Sequence, residues 1–539
     1  MKGLSLVRPI AASVAVLVLA ILAAPQLVYP FGHDQGIYSA CGNVIRQGGV
    51  PIRDCFESKG PGVMVLYAVA LSIHHSTVAV HAFTLIWQAL TAVLVGVTAR
   101  VIFNDGRAAF PAGAFYWLIY AGINYWSMNQ AETFSNVFIT GSLLLGWLAA
   151  QRRSPGLAFG AGAVAGILLW FKYTFGLQLA AVGLGLIVQA ALARQALRGV
   201  IRLGAAFALG AVALNAVVLG YFAVVGGLPA LVEQFNVFRE LFPLGPPRTF
   251  PEIVQYLWRF TDNGADLTGD YKPTVVQWTF FGGGFPLLFA LALVGALRFA
   301  QPLNGEGSAR YVYLLGLFLA GLVVVAIQAK YVQYHFTILH PPLALMAGAG
   351  VAAALGWLDR ERAALVRAFG GLVLLGSAAA FVLLGLRMIP WVADTYSNVI
   401  VQRKTLREMH LESRVAPQLY IADYIVQHTT PEDMISLFAD APWVYMLTER
   451  RNATRFPFAD VWAPAHGSFT NENFARQFFE GVQRNRPKYF ILTEDNYPWL
   501  GVRHIDNYKR LTFLYDYVEA NYRYEVNIGP FIVFRRKDG

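Results

Sequence analysis

Acids and bases gather in a few short stretches of this chain. Tyr29–Gly62 carries Asp34, Arg46, Arg53, Asp54, Glu57 and Lys59, and it holds both cysteines, Cys41 and Cys55. Glu132 stands in NYWSMNQAETF and Lys172 in LLWFKYTFG, each beside an apolar run. Lys330, Tyr331, Tyr334, His335 and His340 fall together in QAKYVQYHFTILHPP. Lys, Arg and His side chains make a receptor for an anionic head group, most simply a phosphate. A carboxylate beside them can take the proton of a hydroxyl nucleophile. A lipid-linked phosphosugar as donor and a hydroxyl as acceptor would use both kinds of group. This chemistry requires no cofactor. His33, His74, His75 and His81 lack metal-ligand spacing with carboxylates, so zinc is not expected, and nothing supports a divalent cation.

Each of these residues also has a plain structural reading. Asp34, flanked by Gly32 and Gly36, could cap a helix. Lys59 and Lys172 could snorkel toward lipid head groups. Glu57 could pair with Lys59 or Arg53, Glu132 with a neighbouring lysine, and His335 could sit at the interface. Cys41 and Cys55 can pair if their loop faces an oxidising compartment; otherwise they stay two thiols. Closing a loop of ~15 residues is worth roughly 3 kcal/mol in the chain-entropy account.

The elements that must position these residues are mostly apolar. Of 539 residues, 56% are hydrophobic and only 14% charged, against about 25% charged in soluble domains. Mean hydropathy is +0.48. The net charge of +10 fits cytoplasmic loops facing anionic lipid. Nucleic acid is a poor explanation of this charge and is not expected as a partner, because no basic run is interleaved with exposed aromatics on a soluble surface. Pro9–Val28 is long enough to span and is read as an uncleaved first helix. The basic clusters Arg100/Arg107, Arg152/Arg153, Arg194/Arg198/Arg202, Arg298/Arg310 and Arg360/Arg362/Arg367 fall in alternate loops. Placing them in the cytoplasm puts 30–61, 124–132, 172–173, 227–278, 330–335 and everything after about 387 outside. All the candidate residues then share one face. His74-His75-Ser76-Thr77 interrupts 62–99, which reads as one crossing or three. The expectation is a polytopic α-helical membrane protein with either 11 or 13 transmembrane helices. Its N-terminus would lie inside and its C-terminus outside. The transmembrane domain covers 1–386, with outer loops 30–61 and 227–278; PLGPPRTFPEIVQYLWRF in the second could lie on the membrane as a gate. The tail 387–539 is polar. DMISLF, KYFILT and FIVFRR read as strands and ESRVAPQLYIADYIVQHTTPEDM as a helix, giving a small soluble α/β domain.

These residues resemble a known family. The order Asp34 … Arg53-Asp54-Cys55-Phe56-Glu57-Ser58-Lys59-Gly60-Pro61-Gly62 resembles the first outer loop of GT-C glycosyltransferases of the protein mannosyltransferase and aminoarabinose transferase type. There an acidic residue follows the first helix and Y-R-D-F-F-x-x-K-P-P-G leads into the second. Gln130-Ala131-Glu132 resembles a later acidic position, and Gly166 to Lys172 resembles a G-x-x-x-x-x-K turn. Tyr334 to Leu345 resembles an H-Y-x-x-x-x-x-P-x-L-A-L helix. Gln35 stands where many relatives have a second acid, which weakens a metal reading, and Gly60-Pro61 replaces Pro-Pro.

The resemblance implies a GT-C fold and an inverting transfer from a polyprenyl-phosphate sugar to a hydroxyl of a lipid, glycan or protein. It implies Asp34 as general base and Lys59 on the donor phosphate, joined there by Lys172, Lys330, Tyr331 and His335. Glu57, Glu132, Arg53 and Tyr334 would line the cavity. The expected location is the bacterial inner membrane, with the site facing the periplasm. The competing classes are a transporter or flippase of lipid-linked sugars, and a non-enzymatic envelope assembly protein. Neither needs a carboxylate at a reaction centre.

Overall fold

The computed structural model describes residues 3–241, 249, 284–300, 305–328, 332–360, 363–459, 472–494 and 503–538. Lys330, Tyr331 and most of the proposed gate 243–260 lie outside the described residues. The chain divides into two compact units. One comprises Met1–Val28, His81–Tyr221 and Glu240–Arg403; the other comprises Tyr29–Val80, Phe222–Arg239 and Lys404–Gly539. The polar loop after the first helix therefore groups with the tail.

The chain begins with α1 (Gly3–Ala23), α2 (His33–Arg46), α3 (Pro61–Ile73) and α4 (Thr77–Phe103). The break between α3 and α4 has a local cause. His74 leaves the helix in an extended conformation, and Ser76 Oγ accepts from Ala79 N at 3.2 Å, capping the next helix. At 1.5 Å per residue, the 13 residues of α3 span only ~20 Å, less than the ~30 Å hydrocarbon core. So α3 does not cross by itself, and the 27 residues of α4 are enough to do so.

The first unit is helical: α5 (Ala109–Ala121), α6 (Ala131–Arg152), α7 (Pro155–Gly166), α8 (Gly176–Leu192), α9 (Leu197–Val224, its first part), α11 (Gly284–Ala300), α12 (Gly305–Gln328), α13 (His340–Arg360) and α14 (Ala364–Leu386) follow α1 and α4. Between them α10 (Leu228–Leu241) belongs mostly to the second unit. Among the described residues seven helices are long and apolar enough to cross a membrane, or eight if the pair broken at 29–32 counts as one span. Small residues let these helices approach closely. A Cβ on Gly162 of α7 would lie 1.9 Å from Phe207 O on α9, and one on Gly210 would lie 2.0 Å from Phe159 O.

The second unit is built on a five-stranded sheet: β1 (Met434–Phe438), β2 (Arg451–Asn452), β3 (Tyr489–Thr493), β4 (Tyr522–Ile528) and β5 (Phe531–Arg536), in the order β2-β1-β3-β5-β4. β1 pairs in parallel with β2 and β3, whereas β5 runs antiparallel to β3 and β4. DMISLF, KYFILT and FIVFRR become β1, β3 and β5. The helix Ala416–His428 precedes β1 and ends at Thr429. One core joins Ile421, Ile435, Leu437, Ile491 and Val533 to Ala40 of α2. The tail's hydrophobic core thus includes the helix that carries Asp34.

Candidate active site

In the second unit, Asp34 lies in the first turn of α2. Its Oδ2 meets Lys59 Nζ at 2.9 Å, with the side chains 19% and 11% exposed. The Lys59 ammonium also sits 4.9 Å from the centre of the Tyr38 ring, one turn further along α2. Glu57 is buried; its Oε1 accepts from Lys59 N at 3.1 Å and Ser58 Oγ at 3.0 Å, and its Oε2 is buried without a hydrogen-bond partner. Gly60 and Pro61 open α3, with the proline in the first turn where its missing N–H costs nothing.

Several devices hold α2 and this loop. Cys41 and Cys55 form a disulfide across 14 residues and are both buried. The Cys41→Ser/Cys55→Ser pair is expected to cost about 3 kcal/mol, read as a lower denaturant midpoint of the full chain. An unchanged midpoint would show that the bond adds no stability. Gly36 packs on the turn before the helix Trp443–Thr448: a Cβ there would lie 2.9 Å from Trp443 N and 3.0 Å from Pro442 Cγ. Phe31 packs against both Tyr67 and Trp443, with ring centres 6.0 and 5.9 Å apart. Arg53 is spent locally: Nε donates to Asp54 Oδ1 at 2.8 Å and Nη1 to Val225 O at 2.5 Å. The Arg53 guanidinium holds the Asp54 carboxyl below the usual carboxylate range. Arg53 thus has a structural task besides any contact with substrate.

The first unit holds a separate cluster. Glu132 begins α6 and is fully buried; Lys172 is 4% exposed. Lys172 has an extended backbone between two short 3-10 turns, so the helical path breaks at this residue. Its Nζ donates to Glu132 Oε1 at 2.6 Å and to Gln328 Oε1 at 2.5 Å, and lies 5.9 Å from the Tyr334 ring centre. His335 is buried, with its ring 4.6 Å from that of Tyr334, edge on. One turn beyond Glu132, Asn136 Nδ2 donates to Thr337 O at 3.0 Å and Tyr116 Oη at 3.1 Å. Tyr116 Oη donates to Gln88 Oε1 at 2.5 Å. This chain ties α4, α5 and α6 to the turn that carries Tyr334 and His335.

The structure therefore groups Asp34, Glu57 and Lys59, and separately Glu132, Lys172, Tyr334 and His335. Sequence reading missed the amides Gln88, Asn136, Gln234 and Gln328. For Gln88, Asn136 and Gln328 the only signal is an uncharged amide on a largely apolar helix; Gln234, in the polar stretch LPALVEQFNVFREL, carries no such signal. Among the described residues, no three His, Cys, Asp or Glu side chains are grouped to hold a metal ion.

No protein-family model and no curated protein matches the chain. Solved structures do. ArnT from Cupriavidus metallidurans in the apo state aligns over 97% of this chain and 98% of its own, at 16% identity and a TM-score of 0.52. The same protein bound to undecaprenyl phosphate aligns over 97% and 96%, at 16% identity and a TM-score of 0.47. The fold is thus like that of this ArnT: a polytopic helical membrane protein with a small C-terminal α/β region.

Proposed function

We propose that this chain, with its ArnT-like fold, is a GT-C glycosyltransferase that moves a sugar from a polyprenyl-phosphate carrier to a hydroxyl of an envelope lipid, glycan or protein. The observation that carries the reading is the Asp34–Lys59 pair at 2.9 Å, one carboxylate and one ammonium held in a loop fixed by a disulfide and by the tail. Such a pair has the two groups that a single displacement needs. The acceptor oxygen attacks the anomeric carbon as its proton passes to Asp34. The bond from that carbon to the phosphate oxygen breaks, and its electron pair leaves with the carrier phosphate. Lys59 meets the charge that develops there. One displacement inverts the anomeric centre.

On the same reading Lys172, Lys330, Tyr331 and His335 bear on the donor phosphate, and Glu57, Glu132, Arg53 and Tyr334 on the cavity wall. The domain boundary falls near residue 387, and the tail and the reacting groups face the periplasm of a bacterial inner membrane. The excess of Lys and Arg in the alternate loops supports that orientation.

The test is transfer by the purified protein in vesicles. Given a polyprenyl-phosphate sugar and an acceptor extract, it is expected to release free carrier phosphate and form a product whose anomeric configuration is opposite to the donor's. Movement of the intact carrier between leaflets without release would replace this reading with that of a flippase.

A further inference from the structure

The lysine of the Asp34–Lys59 pair sits on a turn that is fastened from a distant part of the chain. Gln234 is fully buried on α10. Its Nε2 donates to Glu57 O at 2.7 Å and also to Lys59 O. These two carbonyls bracket the turn from which the Lys59 side chain departs. The partners are 177 and 175 residues apart in sequence. A primary amide carries two N–H donors on one nitrogen, so it can bridge two carbonyls from one position.

The residue before it fixes α10 in turn. Glu233 pairs with Arg455 and accepts from Gln477 Nε2 at 2.9 Å. The Arg455 guanidinium packs against Phe56, Phe456 and Phe474, at 5.3, 5.0 and 5.3 Å from the ring centres. Arg455 also returns to the loop through its backbone, where its carbonyl accepts from Phe56 N at 2.7 Å. Residues 56, 57 and 59 are thus gripped by Arg455 and Gln234, which Glu233 links. Every residue of this circuit lies in the second unit.

We propose that Gln234 is a positioning residue for Lys59, braced by the Glu233–Arg455 pair, and that it sets where the donor phosphate is met. The activity side of this proposal rests on the glycosyltransferase reading; the geometric side does not. Gln234→Leu keeps the volume and removes both N–H donors from the Glu57 and Lys59 carbonyls. Lys59 is then expected to loosen from Asp34.

Two measurements on the full chain test this. The first is reductive methylation of the Lys59 amine, followed by peptide mass spectrometry. It is expected to quicken about tenfold in Gln234→Leu, the scale set by losing hydrogen bonds to buried acceptors. The second is steady-state transfer. KM for the donor is expected to rise by a similar factor while kcat and the acceptor KM change much less. Glu233→Gln should move both readouts the same way by a smaller factor, and it decides the matter if Gln234→Leu does not fold. Unchanged Lys59 methylation in a folded variant overturns the proposal, as does a loss confined to kcat. If the unmodified protein transfers no sugar, the functional reading falls, and methylation alone judges the role of Gln234.

Discussion

Asp34→Asn is expected to slow sugar transfer about a hundredfold to ten-thousandfold, the usual contribution of a positioned general base. Donor binding and folding should persist. Asparagine has the shape of aspartate, and its Oδ1 can still accept from Lys59 Nζ, but it cannot take a proton from the acceptor. The competing explanation of a loss would be unfolding. The pair is mostly buried, at 19% and 11% exposed, but the asparagine amide oxygen still accepts from Lys59 Nζ, so the ammonium keeps an acceptor, and the melting temperature is read beside the rate. A rate loss worth several kcal/mol beside an unchanged melting temperature identifies a chemical role. Undiminished turnover would remove Asp34 as the base. Lys59→Ala should instead weaken donor binding and turnover together, because it removes charge from the leaving phosphate.

The second large effect concerns the pair in the other unit. Lys172→Met is expected to destabilise the protein by about 3–5 kcal/mol, because Glu132 would keep its carboxylate buried with no opposite charge. Here the exposures are 4% and 0%. Lys172→Met/Glu132→Met removes both charges and should recover most of that stability. The double variant then separates two roles. If Lys172 contacts the donor phosphate, the double variant is stable but transfers slowly. If Lys172 only neutralises Glu132, stability and transfer return together, and its phosphate role is withdrawn. Thermal unfolding in detergent and turnover in vesicles are the two readouts.

Much of this was legible in the sequence. Apolar runs marked a membrane protein, and short β-rich pieces marked β1, β3 and β5 in the tail. The strands β2 and β4 escaped because Arg451–Asn452 and the polar Tyr522–Ile528 have no apolar run. In sequence, segment 62–99 reads as one crossing or three, because hydropathy registers apolar length and not the cap that Ser76 places in the middle. Glu132 was readable as a partner for some lysine, but which lysine was not.

The sequence by itself determined the solvent of most of the chain and the places where charge gathers, since hydropathy and charge are properties of short windows. Asp34, Glu57, Lys59, Glu132 and Lys172 needed no structure to be found. Only the tertiary structure decided which of them meet. It put Asp34 on Lys59, Lys172 on Glu132 and Gln328, and Gln234 on the turn at residues 57–59. It also placed Ala40 of α2 inside the core of the tail. The physical reason is that a buried polar group must find a partner wherever packing brings one, and packing joins residues far apart in the chain. No local pattern records that choice.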